Sequence, residues 1–245
     1  MDVKKISDNG KELKLLINGT DTAMMNALRR TIMNSVPVLA IDKVWFYDNN
    51  SVMTDEMLSH RLGLLSVKGV GKVTEGENAK FALEKEGPGM VYSGEIICST
   101  GNAEIVDKKI PVVLLGKNQR VRMEMEAVVG TGKMHTKWQP GTVTYYQVPK
   151  VTFEGVKDPE AIQKAFPGTI EVKAKKLFLA DPLNAKQVTE LRDRFPEEVK
   201  LDYDDKSFVM IIETNRGKEN AEIIEDSLEA LRNRNKEFKE ALKSL

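Results

Sequence analysis

A single cysteine, Cys98, in 245 residues excludes an internal disulfide framework and any zinc site or iron–sulfur cluster held by several thiolates. It reads as a small buried hydrophobe. Only two histidines are present, His60 and His135, far apart in the chain. Glu56 and His60 sit one helical turn apart, but the second histidine of a His-Glu-x-x-His zinc site is missing. Neither sign of charge is in excess: Lys+Arg and Asp+Glu both number 37, so the formal net charge is zero. Wrapping duplex DNA relies on surplus cations that displace counterions from phosphates, so no sequence-specific DNA binding is expected. No apolar run approaches the roughly 20 residues that cross a bilayer. The opening Met1-Asp2-Val3-Lys4-Lys5 leads into no secretory core, so a reduced, cytoplasmic setting without membrane attachment is expected. The nucleophile elbow Gly-x-Ser-x-Gly is also lacking. Gly130-Thr131-Gly132-Lys133 fails as a phosphate loop, because Ala127 and Met134 stand where glycine and Ser/Thr are needed. Gly130 and Gly132 are instead expected to serve a loop with unusual backbone angles. No catalytic constellation and no metal site emerges.

What is present centres on residues 21–66. Asp21 is a good N-cap, and strong helix formers follow until Val36-Pro37 stops them. Met24, Ala27, Leu28, Thr31 and Ile32 share one face of this helix, and Met25 and Met33 lie off it. The helix is thus apolar nearly all round, broken by Arg29-Arg30, and a helix of that kind is covered on more than one side. Glu12–Asn18 alternates as an opening strand, with Leu13, Leu15 and Ile17 on one face. Ala40–Tyr47 reads as a strand, then Asn49-Asn50 as a turn. Residues 67–94 are rich in glycine and charge, as suits short strands and loops. Val91–Cys98, Lys109–Leu115, Arg120–Val129, Thr142–Val148 and Lys206–Thr214 read as further strands.

Four short runs follow one another in order: Asn26-Ala27-Leu28-Arg29-Arg30, Pro37-x-x-Ala40-Ile41-Asp42, Asn49-x-Ser51-Val52-x-x-Asp55-Glu56 and His60-Arg61-Leu62-Gly63-Leu64. Together they resemble the signature of the alpha-like subunits of multisubunit RNA polymerases, above all the archaeal D-type chains. That family is related to bacterial alpha and to the third-largest subunit of eukaryotic polymerase II. The later run Gly130-x-Gly132-Lys133-x-His135-x-Lys137-Trp138-x-Pro140 is similar to the same family and extends the likeness to a distant part of the chain. Leu65-Ser66 departs from it, since Ile-Pro is commoner there.

The resemblance implies a non-catalytic subunit that pairs with subunit L. The pair would form a platform for subunits N and P and the large catalytic subunits. It also implies an α+β architecture: a discontinuous dimerisation domain (1–48 and 204–245), an inserted β-rich domain (49–152) and a ferredoxin-like domain (153–203). Many family members carry iron–sulfur clusters in the last of these. Here the ligand spacing C-x2-C-x2-C-x3-C-P counted back from Pro167 and Pro196 falls on Val156, Pro159, Ile162 and Phe166, and on Ala185, Val188, Leu191 and Phe195. All eight are apolar. They read either as a degenerate ferredoxin-like domain whose ligands became core residues, or as an amphipathic helix whose spacing coincides. Both readings exclude a cluster.

The last helix, about Asn220 to Leu245, sets Ala221, Ile224, Leu228, Leu231, Asn235, Phe238, Leu242 and Leu245 at alternating spacings of three and four. That is a heptad seam, and it fits either a helical partner or the chain's own sheet. With the resemblance, the expected partner-binding residues are Met24, Asn26, Ala27, Leu28, Thr31, Ile32, Ile224, Leu228, Leu231, Asn235, Phe238 and Leu242. Arg29, Arg30 and the segment 55–65, with Asp55, Glu56, His60 and Arg61 named in it, are expected to meet a large subunit; for the arginine pair, a solvated face or a nucleic-acid contact is the other reading. A self-pairing scaffold and a redox protein of ferredoxin-like origin are the alternatives in function.

Overall fold

Asp21 starts the first helix as its residue type indicates. Its carboxylate accepts a hydrogen bond from the Met24 N–H at 2.8 Å and its carbonyl one from the Met25 N–H at 3.1 Å. Both bonds satisfy donors that the first turn of a helix leaves open. This helix, α1, spans Thr22–Ser35 and ends before Val36-Pro37, where the proline ring disfavours helical backbone in the residue before it.

The computed structural model describes residues 1–69, 78–156, 158–173, 176–179, 183 and 185–243. Part of the glycine-rich stretch and Leu245 of the heptad seam lie outside the described residues. Two strands precede α1: β1 (Asp2–Asp8) and β2 (Glu12–Asn18). After it come β3 (Pro37–Asn49), α2 (Asp55–Gly63), β4 (Val67–Gly69), β5 (Asn78–Glu86), β6 (Gly89–Tyr92) and β7 (Ile97–Cys98). Then follow β8 (Ala103–Ile105), β9 (Pro111–Leu115), β10 (Arg120–Thr131) and β11 (Gly141–Phe153). The chain closes with α3 (Pro159–Ala165), β12 (Ile170–Lys173), β13 (Lys176–Leu179), α4 (Ala185–Arg194), β14 (Val199–Thr214) and α5 (Asn220–Lys243). Helices and strands are mixed and sheet predominates. One four-stranded sheet has the order β1-β2-β14-β11 and another β3-β10-β5-β7. Three two-stranded ribbons pair β12 with β13, β4 with β8 and β6 with β9.

By contacts the chain divides into two compact units. The first is Met1–Asp8, Leu13–Ala27 and Thr144–Ile211; the second is Asn9–Glu12, Leu28–Val143 and Ile212–Leu245. In the second unit β10 is the central strand, antiparallel to β3 on one side and β5 on the other. Its alternation sends Val121, Met123, Met125 and Ala127 inward, as the sequence indicates, onto Phe81 and Leu83 of β5 and Leu58 and Leu62 of α2. Strand β3 takes in an extra residue near Tyr47 and another near Asp42, since the register shifts at Arg122/Met123 and Glu126/Ala127.

In the first unit, Leu13, Leu15 and Ile17 bury one face of β2, as their period-two spacing requires. A smaller core there joins Ile162, Ile170, Leu177, Leu191 and Val199, with Val151, Phe153, Val156, Phe166, Val172 and Phe195 packed against it. The two Phe-Pro segments are built alike. The Phe166 N–H donates to the Ile162 carbonyl at 3.1 Å and the Phe195 N–H to the Leu191 carbonyl at 3.0 Å. One turn later the Ile170 N–H donates to the Phe166 carbonyl at 3.3 Å and the Val199 N–H to the Phe195 carbonyl at 2.9 Å. Phe166 and Phe195 meet edge to face with ring centroids 6.4 Å apart. Six of the eight positions at the cluster-ligand spacing thus have described places in this region's packing: Val156, Ile162, Phe166, Leu191 and Phe195 in the core, and Val188 fully buried.

Two strand expectations are corrected and one strand is added. Strand β1 joins the elements read from sequence; all seven of its side chains are exposed, so no alternation announces it. Lys206–Thr214 is the end of a longer strand, β14, which starts at Val199 and whose middle Asp202–Asp205 has no apolar pattern and is held extended by its neighbours. Val91–Cys98 is not one strand: a tight turn at Ser93–Glu95 divides it, and there the Glu95 carboxylate accepts from the Tyr92 N–H at 2.9 Å.

Candidate partner-binding surface

Helix α5 is anchored at its start and bare at its end. Its first turns bury Asn220, Ile223 and Ser227. The Lys68 ammonium sits 2.5 Å from the Glu219 carboxylate just before the helix, and this contact raises the Lys68 pKa. Lys218 bonds the Pro37 carbonyl at 3.0 Å and pairs with Asp226. Farther on, the Arg234 guanidinium donates to the Ser35 hydroxyl at the end of α1, at 2.5 Å. From Arg232 to Lys243 every residue is exposed. The chain's own packing uses the Ile223–Ser227 stripe and leaves the heptad seam aside. Ile224 and Leu231 are half-buried; Leu228, Phe238 and Leu242 are 39%, 64% and 51% exposed, and Asn235 is exposed between them.

On α1 the buried stripe is rotated from the one expected. Met25, placed off the apolar face by its spacing, is buried together with Thr31, Ile32 and Val36. Met24, placed on that face, is exposed, whereas Asn26, Ala27 and Leu28 are half-buried. An all-round apolar helix offers two stripes of similar strength, and its tertiary neighbours choose between them. Thr31 and Ile32 are enclosed by the chain itself. Arg29 is half-buried, with a guanidinium nitrogen 3.7 Å from the Met33 sulfur, and Arg30 is exposed.

The Asn-x-Ser-Val-x-x-Asp-Glu run builds the start of α2. The Asn49 amide donates to the Met53 carbonyl at 3.0 Å and to the Asp55 carboxylate at 2.6 Å. Its own carbonyl accepts from the Ser51 N–H and hydroxyl at 3.2 and 2.7 Å. Thr54 then caps the helix by accepting from the Met57 N–H at 3.4 Å. Asp55 and Glu56 occupy the first turn, where the helix dipole favours carboxylates. Glu56's carboxyl is held below its ordinary pKa by its own backbone N–H and the Thr54 hydroxyl. At the other end Arg61 donates to the Pro111 carbonyl at 2.5 Å, and His60 is exposed. Met57 and Leu64 are also exposed, and with His60 and Arg61 they make a continuous face at i, i+3, i+4, i+7. Both fall within residues 55–65, the segment expected as a whole to meet a large subunit. Ser66, where the family commonly has proline, donates to the Asn215 carbonyl at 2.8 Å.

The glycines of the Gly-x-Gly-Lys run have a different role from the one expected. Neither Gly130 nor Gly132 has a positive φ, so unusual backbone angles do not explain them. Close approach does. A β-carbon on Gly130 would lie 2.5 Å from ring carbons of Trp138, and one on Gly132 would overlap the Met33 carbonyl oxygen. Trp138 is buried, with its indole N–H on the Val128 carbonyl at 3.0 Å. The Lys137 ammonium lies 4.3 Å from the Trp138 ring centroid and bonds the Asp42 carboxylate at 2.6 Å and the Ile41 carbonyl at 3.2 Å. This run is a clasp over β3 and β10. Cys98 is half-buried; burial pushes its thiol up, but hydrogen bonds from the Thr100 hydroxyl and the backbone of Ala103, Gly101 and Thr100 bring it below its ordinary value. Among the described residues no group of three or more His, Cys, Asp or Glu could hold a metal ion. No described helix is long and apolar enough to cross a membrane.

The far half of α5 thus leaves an apolar seam exposed in a sheet-rich chain. Residues 51–144 match the family model of the RNA polymerase Rpb3/RpoA insert domain. The DNA-directed RNA polymerase subunit Rpo3 of Halobacterium salinarum is 31% identical over 249 aligned residues, which take in 98% of this chain and 97% of that one. The Rpo3 subunit of Methanocaldococcus jannaschii is 48% identical over 123 residues, and that of Thermococcus kodakarensis 35% over 158. The last two matches cover 50% and 62% of this chain. They span only 63% and 61% of those relatives, less than two thirds of their length. The chain belongs to the Rpo3 family of alpha-like RNA polymerase subunits.

Proposed function

We propose that this chain is a non-catalytic assembly subunit of an archaeal DNA-directed RNA polymerase in the cytoplasm. It pairs with the second alpha-like subunit, L, and together they carry subunits N and P and the large catalytic subunits. The observation that supports pairing is the exposed seam of α5. Leu228, Phe238 and Leu242 are large apolar side chains at heptad spacing that the chain leaves in water. Burying each would contribute roughly 1.5–3 kcal/mol, so exposure of all three without a partner is costly. The residues offered to the partner are Ile224, Leu228, Leu231, Asn235, Phe238 and Leu242 of α5 and, taken separately, Met24, Asn26, Ala27 and Leu28 of α1. Thr31 and Ile32 support α1 from inside. The residues offered to a large subunit are Arg29 and Arg30 on α1 and, on α2, Asp55, Glu56, His60 and Arg61 with Met57 and Leu64.

In this reading 1–48 and 204–245 make the dimerisation domain, 49–152 the insert and 153–203 a ferredoxin-like domain without a cofactor. The matching hydrogen bonds of the two Phe-Pro segments support the ferredoxin-like origin. The apolar core at the former ligand positions fills the volume that clusters would take.

Light scattering on the chain alone and co-produced with its L subunit tests the proposal. A 1:1 complex is expected, and changing Leu228 and Phe238 to Asp should abolish it, because charge would be buried in the seam. A chain that stays monomeric in the presence of L overturns the reading. A symmetric homodimer lost in the same variant would instead support a self-pairing scaffold.

A further inference from the structure

The charges along α5 are arranged by position as well as by type. Between Glu219 and Leu231 stand Glu219, Glu222, Glu225, Asp226 and Glu229, with no lysine or arginine. Beyond Leu231 the helix carries Arg232, Arg234, Lys236, Lys239 and Lys243 against Glu237 and Glu240. At 3.6 residues per turn, Leu231, Asn235, Phe238 and Leu242 form a stripe. Arg232 and Lys239 flank it on one side, and Arg234 on the other, at roughly 70–90° from its centre. Glu237 and Glu240 fall roughly 130–170° away, on the far side of the helix. The exposed seam is therefore bordered by cations, and the only acids of this half point elsewhere. Residues beside an apolar seam are the ones that choose a partner by charge.

We propose that the far half of α5, Leu231–Leu242, takes an amphipathic partner helix whose apolar seam is flanked by acidic residues. This rests on the pairing reading above and names the chemistry of the partner. A second copy of the chain is disfavoured, since pairing two far halves would set Arg232 and Lys239 against the same cations. A helix flanked by Glu or Asp meets them with opposite charge. Exposed pairs of this kind act more on partner choice and association rate than on raw stability.

Two synthetic helices with the same Leu/Ile seam, one with Glu and one with Lys at every flanking position, are titrated into the full-length chain and followed by fluorescence anisotropy. The Glu-flanked peptide should bind at least tenfold tighter in low salt. The gap should narrow as salt rises, because the Debye length shrinks below about 10 Å beyond 0.1 M. In the variant Arg232→Glu/Lys239→Glu, which alters only exposed positions, the preference should reverse. Equal or tighter binding of the Lys-flanked peptide, binding of neither, or a seam-dependent dimer of the chain alone overturns the proposal. Co-production with L separates this from the reading beneath it. If L binds the charge-reversed variant as well as the natural chain but is lost with Phe238→Asp, pairing stands and the acidic-partner inference falls. If L never binds, the pairing reading falls, and the two peptides still decide the charge preference.

Discussion

Phe81, on β5, and Phe238, near the end of α5, are the same side chain in opposite circumstances: the first is 1% exposed and the second 64%. Phe81 lies in a core built from β3, β5, β10 and α2, where each strand supplies an inward row and neighbouring strands cover it. Phe238 belongs to a row just as regular, but nothing among the described residues is laid across it. A periodic apolar pattern states that a face will be covered. It does not state whether the cover is intramolecular.

The widest separation between the two regions should appear in the stability of the isolated chain. Phe81→Ala is expected to cost about 3–5 kcal/mol, read as a fall in the urea midpoint. Phe238→Ala should stay within about 0.5 kcal/mol of the natural chain, because its side chain stands largely in water. If both variants lost stability alike, α5 would be packed in solution and the contrast would collapse. Next in size, Gly132→Ala should destabilise by about 1–3 kcal/mol, since its β-carbon would overlap the Met33 carbonyl oxygen and force the clasp off β3. Thermal unfolding would show this as a lowered midpoint, and an unchanged one would mean that Met33 yields freely.

A smaller effect sharpens the view of the repeated Phe-Pro segments. In a double-mutant cycle, Phe166→Leu and Phe195→Leu should couple by about 0.5–1.5 kcal/mol, the range for edge-to-face rings. Additive losses would mean that the two halves of that module do not rely on each other. The smallest effect is a titration on the exposed face of β3. The Tyr47 hydroxyl donates to the Glu124 carboxylate at 3.1 Å, and that bond, with the carboxylate's charge, raises the phenol pKa. A raised folded pKa means the contact's contribution is complete below the ordinary value of about 10 and is lost as pH climbs through the folded value. Absorbance at the phenolate band should show one tyrosine ionising later than in Glu124→Gln, and identical curves would remove the contact.

Local chemistry was the legible part. The Asp21 cap, the stop at Val36-Pro37, the alternation of β2 and β10, and the internal repeat in the Phe-Pro segments all follow from neighbours a few residues apart, and the backbone bonds answer to each. The motifs at 49–56 and 130–140 could be recognised but not explained. Their bonds reach from Asn49 to Asp55, from Lys137 to Asp42 and from Trp138 to Val128, and spacing alone does not reveal such pairings. Strand β1, exposed throughout, carries no pattern to read.

The order of residues by itself determined where α1, α5, β2 and β10 begin, that α1 is apolar nearly all round and that α5 bears a regular seam with basic borders. These depend on side-chain type and a fixed periodicity. Only the tertiary structure decided that α1 buries Met25, Thr31 and Ile32 while exposing Met24, and that α5 spends Ile223 and Ser227 on the chain and leaves Leu228, Phe238 and Leu242 outside. Which of two comparable apolar stripes is covered depends on the surfaces opposite, and those are assembled from segments distant in sequence.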